Sequence, residues 1–142
     1  MHPTGMAHRD IVAMGGSAGG IQALGKILAV LPNDFPAAIF VTLHLSPYYS
    51  SRLDEVLAMG SRLPVKTAED GLAVETGTVY VAPRDRHLVF SDGVMRLSAG
   101  PRENRHRPCI NVMFRSAAEQ YGPRAIGVLL TGLLDDGAAG LR

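Results

Sequence analysis

Apolar positions change their spacing several times along the chain, and each change predicts an element. Ile11-Val12-Ala13-Met14 is a short unbroken apolar run. Ile21, Leu24, Leu28 and Leu31 then recur at spacings of three, four and three. This predicts a strand over Asp10–Met14 and an amphipathic helix over Gly20–Leu31. Pro32-Asn33-Asp34 stops the helix. Ala37 to Leu43 is apolar without alternation, which predicts a strand over Pro36–Leu43, buried on both faces as in a parallel sheet covered by helices. It ends at His44-Leu45-Ser46-Pro47. Ser50 or Ser51 suits the cap of a second helix with Leu53, Val56 and Leu57 on one face.

The middle of the chain changes character. Val65–Glu69, Val79–Ala82, His87–Phe90 and Val94–Leu97 are short and strand-like. Asp70-Gly71, Thr76-Gly77 and Asp92-Gly93 separate them as turns. An aspartate-glycine pair between two such runs is a hairpin signal, so an antiparallel insertion or edge is expected here. Residues 99–108 read as a basic loop. Ile110, Phe114, Ala117 and Tyr121 repeat at four, three and four, which predicts another helix closed by Gly122-Pro123. Ala125–Leu130 is a further apolar run, expected to be a buried central strand. It leads into Thr131-Gly132-Leu133-Leu134-Asp135-Asp136-Gly137.

Strands alternating with helices predict an α/β fold: a doubly wound, mainly parallel sheet flanked by helices, with a short antiparallel hairpin region. Met1 to Arg9 read as a disordered lead-in, and residues 10–142 as one domain. Ala138 to Arg142 look like the first turn of another helix. A doubly wound unit rarely stops there, so the domain is expected to be incomplete at its C-terminus.

Composition narrows the class. A chain of 142 residues with 46% apolar content suits one domain with an ordinary core. A net charge of +1 gives no electrostatic case for nucleic acid. The single cysteine, Cys109, excludes an internal disulfide and a multi-cysteine metal site. The longest apolar stretch, near residues 36–45, is too short to span a bilayer. Met1–Arg9 lack the apolar core of a signal peptide. A soluble cytoplasmic protein without membrane insertion is the expectation.

Candidate chemistry concentrates where apolar runs end. Gly15 to Gly19 matches the G-x-S-x-G pattern of a nucleophile elbow, with Ser17 at the centre of a tight turn whose glycines permit positive φ and close backbone approach. The same stretch nearly matches the dinucleotide pattern G-x-G-x-x-G, but Ser17 stands at its second glycine. A glycine-rich turn without chemistry is the third reading. In open α/β sheets, ligands bind outside the carboxyl ends of the strands. There the first run delivers Ser17, the second His44, and the last Asp135 and Asp136. A serine needs a base, and the base needs a carboxylate to fix its tautomer. The order Ser, His, Asp differs from the Ser, Asp, His order of α/β-hydrolases. His44 where the dinucleotide pattern wants an acid also counts against nucleotide binding. Each candidate has a plainer role: His44 bonding a carbonyl at a strand end, the aspartates capping a helix. His87 reads as structural and Cys109 as a small helix-entry residue.

The ordered blocks Ile11-Val12-Ala13-Met14-Gly15-Gly16-Ser17-Ala18-Gly19-Gly20, Thr42-Leu43-His44, Ala68-Glu69-Asp70-Gly71, Val79-Tyr80-Val81-Ala82-Pro83, Asn104-Arg105-His106-Arg107-Pro108 and Thr131 to Gly137 resemble the catalytic domain of CheB-type protein-glutamate methylesterases. The resemblance implies hydrolysis of glutamate methyl esters on chemoreceptors, and deamidation of receptor glutamines, without a cofactor. It implies Ser17 as nucleophile, His44 as base and Asp136 as orienting carboxylate, with the backbone amides of Ala18 and Leu133 as oxyanion donors. Arg102, Arg105 and Arg107 are expected to bind the acidic substrate. The implied partner is a methylated chemoreceptor cytoplasmic segment, with a chemotaxis methyltransferase as a second candidate. A non-catalytic module of the same fold, binding receptor or methyltransferase, is the first alternative; a nucleotide-binding domain is the second. Gly16 and Cys109 depart from the family's frequent alanine and serine. The family's usual receiver domain has no counterpart in this sequence.

Overall fold

The computed structural model describes residues 9–17, 19–44, 52–101 and 108–130. Five strands form one parallel sheet: β1 (Ile11–Ser17), β2 (Ala38–His44), β3 (Val65–Thr67), β4 (Val79–Val81) and, last in the chain, β7 (Ala125–Leu129). Their spatial order is β3-β4-β2-β1-β7. Between β4 and β7 the chain makes an antiparallel pair, β5 (His87–Ser91) and β6 (Val94–Ser98). The helices are α1 (Gly20–Val30), α2 (Leu53–Ala58) and α3 (Ile110–Tyr121).

Strand alternation sorts the core into two layers. Val12 and Met14 of β1, with Ile39, Val41 and Leu43 of β2, join Leu24 and Leu28 of α1 and Leu53 and Leu57 of α2. Ile11, Ala13, Ala38 and Phe40 face the other way, toward Ile110, Met113, Phe114 and Ala117 of α3 and Leu88, Phe90 and Met95 of the hairpin. Both faces of β1 and β2 are therefore covered, which is why their sequences run apolar without a break. The ring of Phe40 stacks on Tyr80 at 5.3 Å and meets the edge of Phe90 at 4.7 Å.

The doubly wound sheet and the hairpin agree with expectation, and several details differ. Val65–Thr67 and Val79–Val81 pair in parallel inside the main sheet; the pair around Asp92-Gly93 is antiparallel, and an isolated antiparallel bridge joins Val94 to Ala73. The Asp92-Gly93 turn has positive φ at both residues, 51° and 79°, the form that matches strand twist. The second helix is only six residues long and its N-cap is Arg52, so the caps expected at Ser50 or Ser51 give way. Val56 is exposed on it, because so short a helix turns only Leu53 and Leu57 to the core. The last strand is half-buried rather than central: among the described residues no strand lies beyond β7. The lead-in at residues 1–8 and the final stretch 131–142 lie outside the described residues. No helix among the described residues is long and apolar enough to cross a membrane.

At the amino ends of the strands, Arg124 donates two hydrogen bonds of 2.8 Å to the carboxylate of Asp10 and lies over the ring of Tyr121. The Tyr121 hydroxyl is enclosed and has no hydrogen-bond partner among the described residues. Burial pushes its ionisation above the ordinary 10.0, with Arg124 pulling the other way. An enclosed hydroxyl without a partner is destabilising, so Tyr121→Phe should raise stability by on the order of 1 kcal/mol in urea unfolding. In the unfolded chain the phenol loses its proton near 10, while the folded chain retains it. The native contribution is thus full below that pH and is lost as pH rises through the folded value. The variant should lack this part of the alkaline slope. A loss of stability in Tyr121→Phe would show that the hydroxyl is bonded.

Candidate active site

The site begins with strand register. β1 and β2 pair in parallel with Ala13 beside Phe40, Gly15 beside Thr42 and Ser17 beside His44. Each pair lies on the α3 face, because alternation carries the sheet face of Ala13 and Phe40 two and four residues on. Neighbouring strands run about 4.8 Å apart. Ser17 and His44 are the last residues of their strands, so two strands deliver a hydroxyl and an imidazole side by side at the carboxyl edge. Both are half-buried, and Nε2 of His44 is enclosed.

Ser17 ends a strand instead of sitting mid-turn. β1 continues through Gly15 and Gly16 because both are buried in the ladder against Thr42 and Leu43. Nor is positive φ what Gly19 supplies, since its φ is −64° as the N-cap of α1. The value of Gly15 is close approach. A Cβ there would stand 2.4 Å from Cγ2 of Ile110 and 2.9 Å from its Cγ1, so the first turn of α3 lies directly on the strand two residues before Ser17. Gly15→Ala should cost roughly 1–3 kcal/mol through overpacking. Adding Ile110→Ala should recover part of that cost relative to the two single changes, which a double-mutant cycle in urea would measure. Strict additivity would mean that the two residues do not press on each other.

The electrostatics suit a developing negative charge beside Ser17. Its Oγ lies 3.9 Å from where a Cβ of Gly19 would be, next to the amino end of α1. The first N–H groups of a helix have no intrahelical partner and carry the positive end of its dipole. No acidic residue in the first turn of α1 offsets it. Fixed amide dipoles at such a place stabilise an oxyanion without reorganising.

On the other side of β1, the Leu130 N–H donates to the Gly15 carbonyl at 2.8 Å. The chain therefore leaves β7 beside the glycines that precede Ser17. Asp135, Asp136 and Leu133 follow in sequence and lie outside the described residues, as do Ala18, Arg102, Arg105 and Arg107. Of the predicted site, the structure brings together Ser17 and His44. The contribution of α3 was not visible in the sequence as a site feature. Its signal was Gly15, whose place in an otherwise bulky apolar strand marks a close approach from above.

The sequence matches the family described as CheB methylesterase over residues 12–142. It is 46% identical to a protein-glutamate methylesterase/protein-glutamine glutaminase of Anaeromyxobacter dehalogenans over 99% of this chain and 41% of the relative. A protein of the same name from Methanosarcina mazei is 41% identical over 93% of this chain and 38% of its own length. The chain thus spans about two fifths of the curated relatives it matches. The crystal structure of the Thermotoga maritima CheB methylesterase catalytic domain superposes with a TM-score of 0.86 at 38% identity, covering 95% of this chain and 73% of that one.

Proposed function

Since the chain belongs to the CheB methylesterase family, we propose that residues 10–142 form the nucleophile-bearing part of a serine esterase. Its substrates would be glutamate methyl esters on chemoreceptor-type proteins, with deamidation of receptor glutamines as a second activity. The observation that carries the proposal is the register of Ser17 with His44 at the carboxyl edge of β1 and β2. The Ser17 hydroxyl attacks the ester carbonyl carbon while His44 takes its proton. The oxyanion is held by backbone amides, assigned by family likeness to Ala18 and Leu133, beside the amino end of α1. Collapse breaks the carbonyl–methoxyl bond, and His44 returns the proton to the leaving methoxide as methanol. Water, deprotonated by His44, then attacks the acyl carbon. Collapse breaks the bond from that carbon to the Ser17 oxygen, His44 returns its proton to that oxygen, and the glutamic acid formed gives its proton to solvent to leave as carboxylate. Asp136 is assigned to hold the imidazole in the tautomer that accepts at the serine. No cofactor enters these steps.

Methanol released from a methylated receptor fragment, in step with loss of its methyl ester, is the decisive measurement. Binding without methanol would leave only an interaction module. The proposed setting is the cytoplasm, where receptor methylation segments and a chemotaxis methyltransferase would be met. Arg102, Arg105 and Arg107 are assigned to the acidic substrate segment. Replacing all three by glutamine should raise KM for a receptor fragment by about tenfold and flatten its salt dependence, while a small neutral ester is turned over as before. Equal losses on both substrates would make the loop structural.

A further inference from the structure

We propose that His87 is a positioning residue for the Ser17–His44 pair, acting through the first turn of α3. The inference rests on the esterase assignment and adds a residue to it. His87 is 3% exposed, and both ring nitrogens are engaged. The Cys109 N–H donates to Nδ1 at 3.2 Å. Nδ1 is therefore the acceptor, and Nε2 carries the hydrogen that it donates to the Pro101 carbonyl at 2.8 Å. Cys109 is the N-cap of α3, and its carbonyl accepts the first bond of the helix, from the Met113 N–H at 3.3 Å. One imidazole thus fixes where α3 begins.

Two contacts pass this position to the reacting pair. Ile110 presses on Gly15, the residue two before Ser17 on the same sheet face. The sulfur of Met113 accepts the Thr42 hydroxyl at 3.3 Å, two residues before His44 on that face. The first turn of α3 therefore bears on both strands immediately beneath their catalytic ends. Gly15 leaves no slack for α3 to shift without moving β1. A displacement of about 1 Å in a reacting pair costs on the order of 100-fold in rate, so a bond that fixes the helix start is felt in kcat.

The two nitrogens can be tested separately. Asparagine at this position places an acceptor near Nδ1 and gives up the bond to Pro101. Glutamine places a donor near Nε2 and gives up the bond from Cys109. The measurements are kcat and KM on a small neutral methyl ester, the labelling rate of Ser17 by a fluorophosphonate, and thermal unfolding. His87→Gln should lower kcat and labelling by about 10- to 100-fold with KM little changed, whereas His87→Asn should stay within about threefold of wild type. Equal activity in both variants, the reverse order, or loss of folding in both would overturn the role. Absence of labelling and turnover in the wild-type chain would instead overturn the esterase assignment.

Discussion

Ser17→Ala is expected to lower kcat on a methyl ester by roughly 10⁵- to 10⁶-fold, the scale seen when a triad nucleophile is removed. The size follows from what the change deletes. In the proposed mechanism the acyl-serine intermediate becomes impossible, and His44 is left without a proton to accept. What survives is substrate binding and whatever charge stabilisation the amino end of α1 provides, together worth about 10³–10⁴ over water in comparable sites. Stability should barely change, because Ser17 is half-buried at the end of its strand and the core of β1 lies below it in Ile11 to Met14. The variant therefore separates chemistry from folding cleanly. Activity within tenfold of wild type would remove Ser17 from the mechanism.

The parts of this molecule legible in its sequence are those where period alone decides. Unbroken apolar runs identified β1 and β2 as strands, the second as covered on both faces, and spacings of three and four gave α1 and α3. Strand ends were less legible. Gly15 and Gly16 read as turn because glycine is a poor strand former in isolation, yet the ladder to Thr42 and Leu43 holds them extended. Val65–Thr67 and Val79–Val81 are too short to declare parallel or antiparallel partners, since pairing direction depends on chain segments remote in sequence. For the site, Ser17 and His44 could each be singled out, but only the register of two parallel strands makes them neighbours. His87 read as structural, and its two bonds to Cys109 and Pro101 show what kind of structure it maintains. Nothing in its own sequence context announces partners fourteen and twenty-two residues away.

Asp136→Asn should reduce kcat by on the order of 10⁴-fold, while Asp135→Asn should reduce it by less than about threefold. If the backbone at these two positions is extended or just entering a helix, neighbouring side chains diverge, and one carboxylate alone would meet the imidazole of His44. Family likeness assigns Asp136, the residue directly before Gly137. Chain path allows it: the Leu130 N–H is bonded at the Gly15 carbonyl, and six residues of chain can reach up to about 20 Å. Asparagine keeps the shape but presents an amide hydrogen or a neutral oxygen to the ring. Either the wrong imidazole tautomer is favoured or the imidazolium formed on proton transfer loses its counter-charge. Ground-state binding does not need that charge, so KM should move little and the loss should sit in kcat. A large kcat loss in Asp135→Asn with Asp136→Asn near wild type would move the orienting role one residue back and leave Ser17 and His44 in place. Near-wild-type kcat in both variants would mean that neither aspartate orients His44.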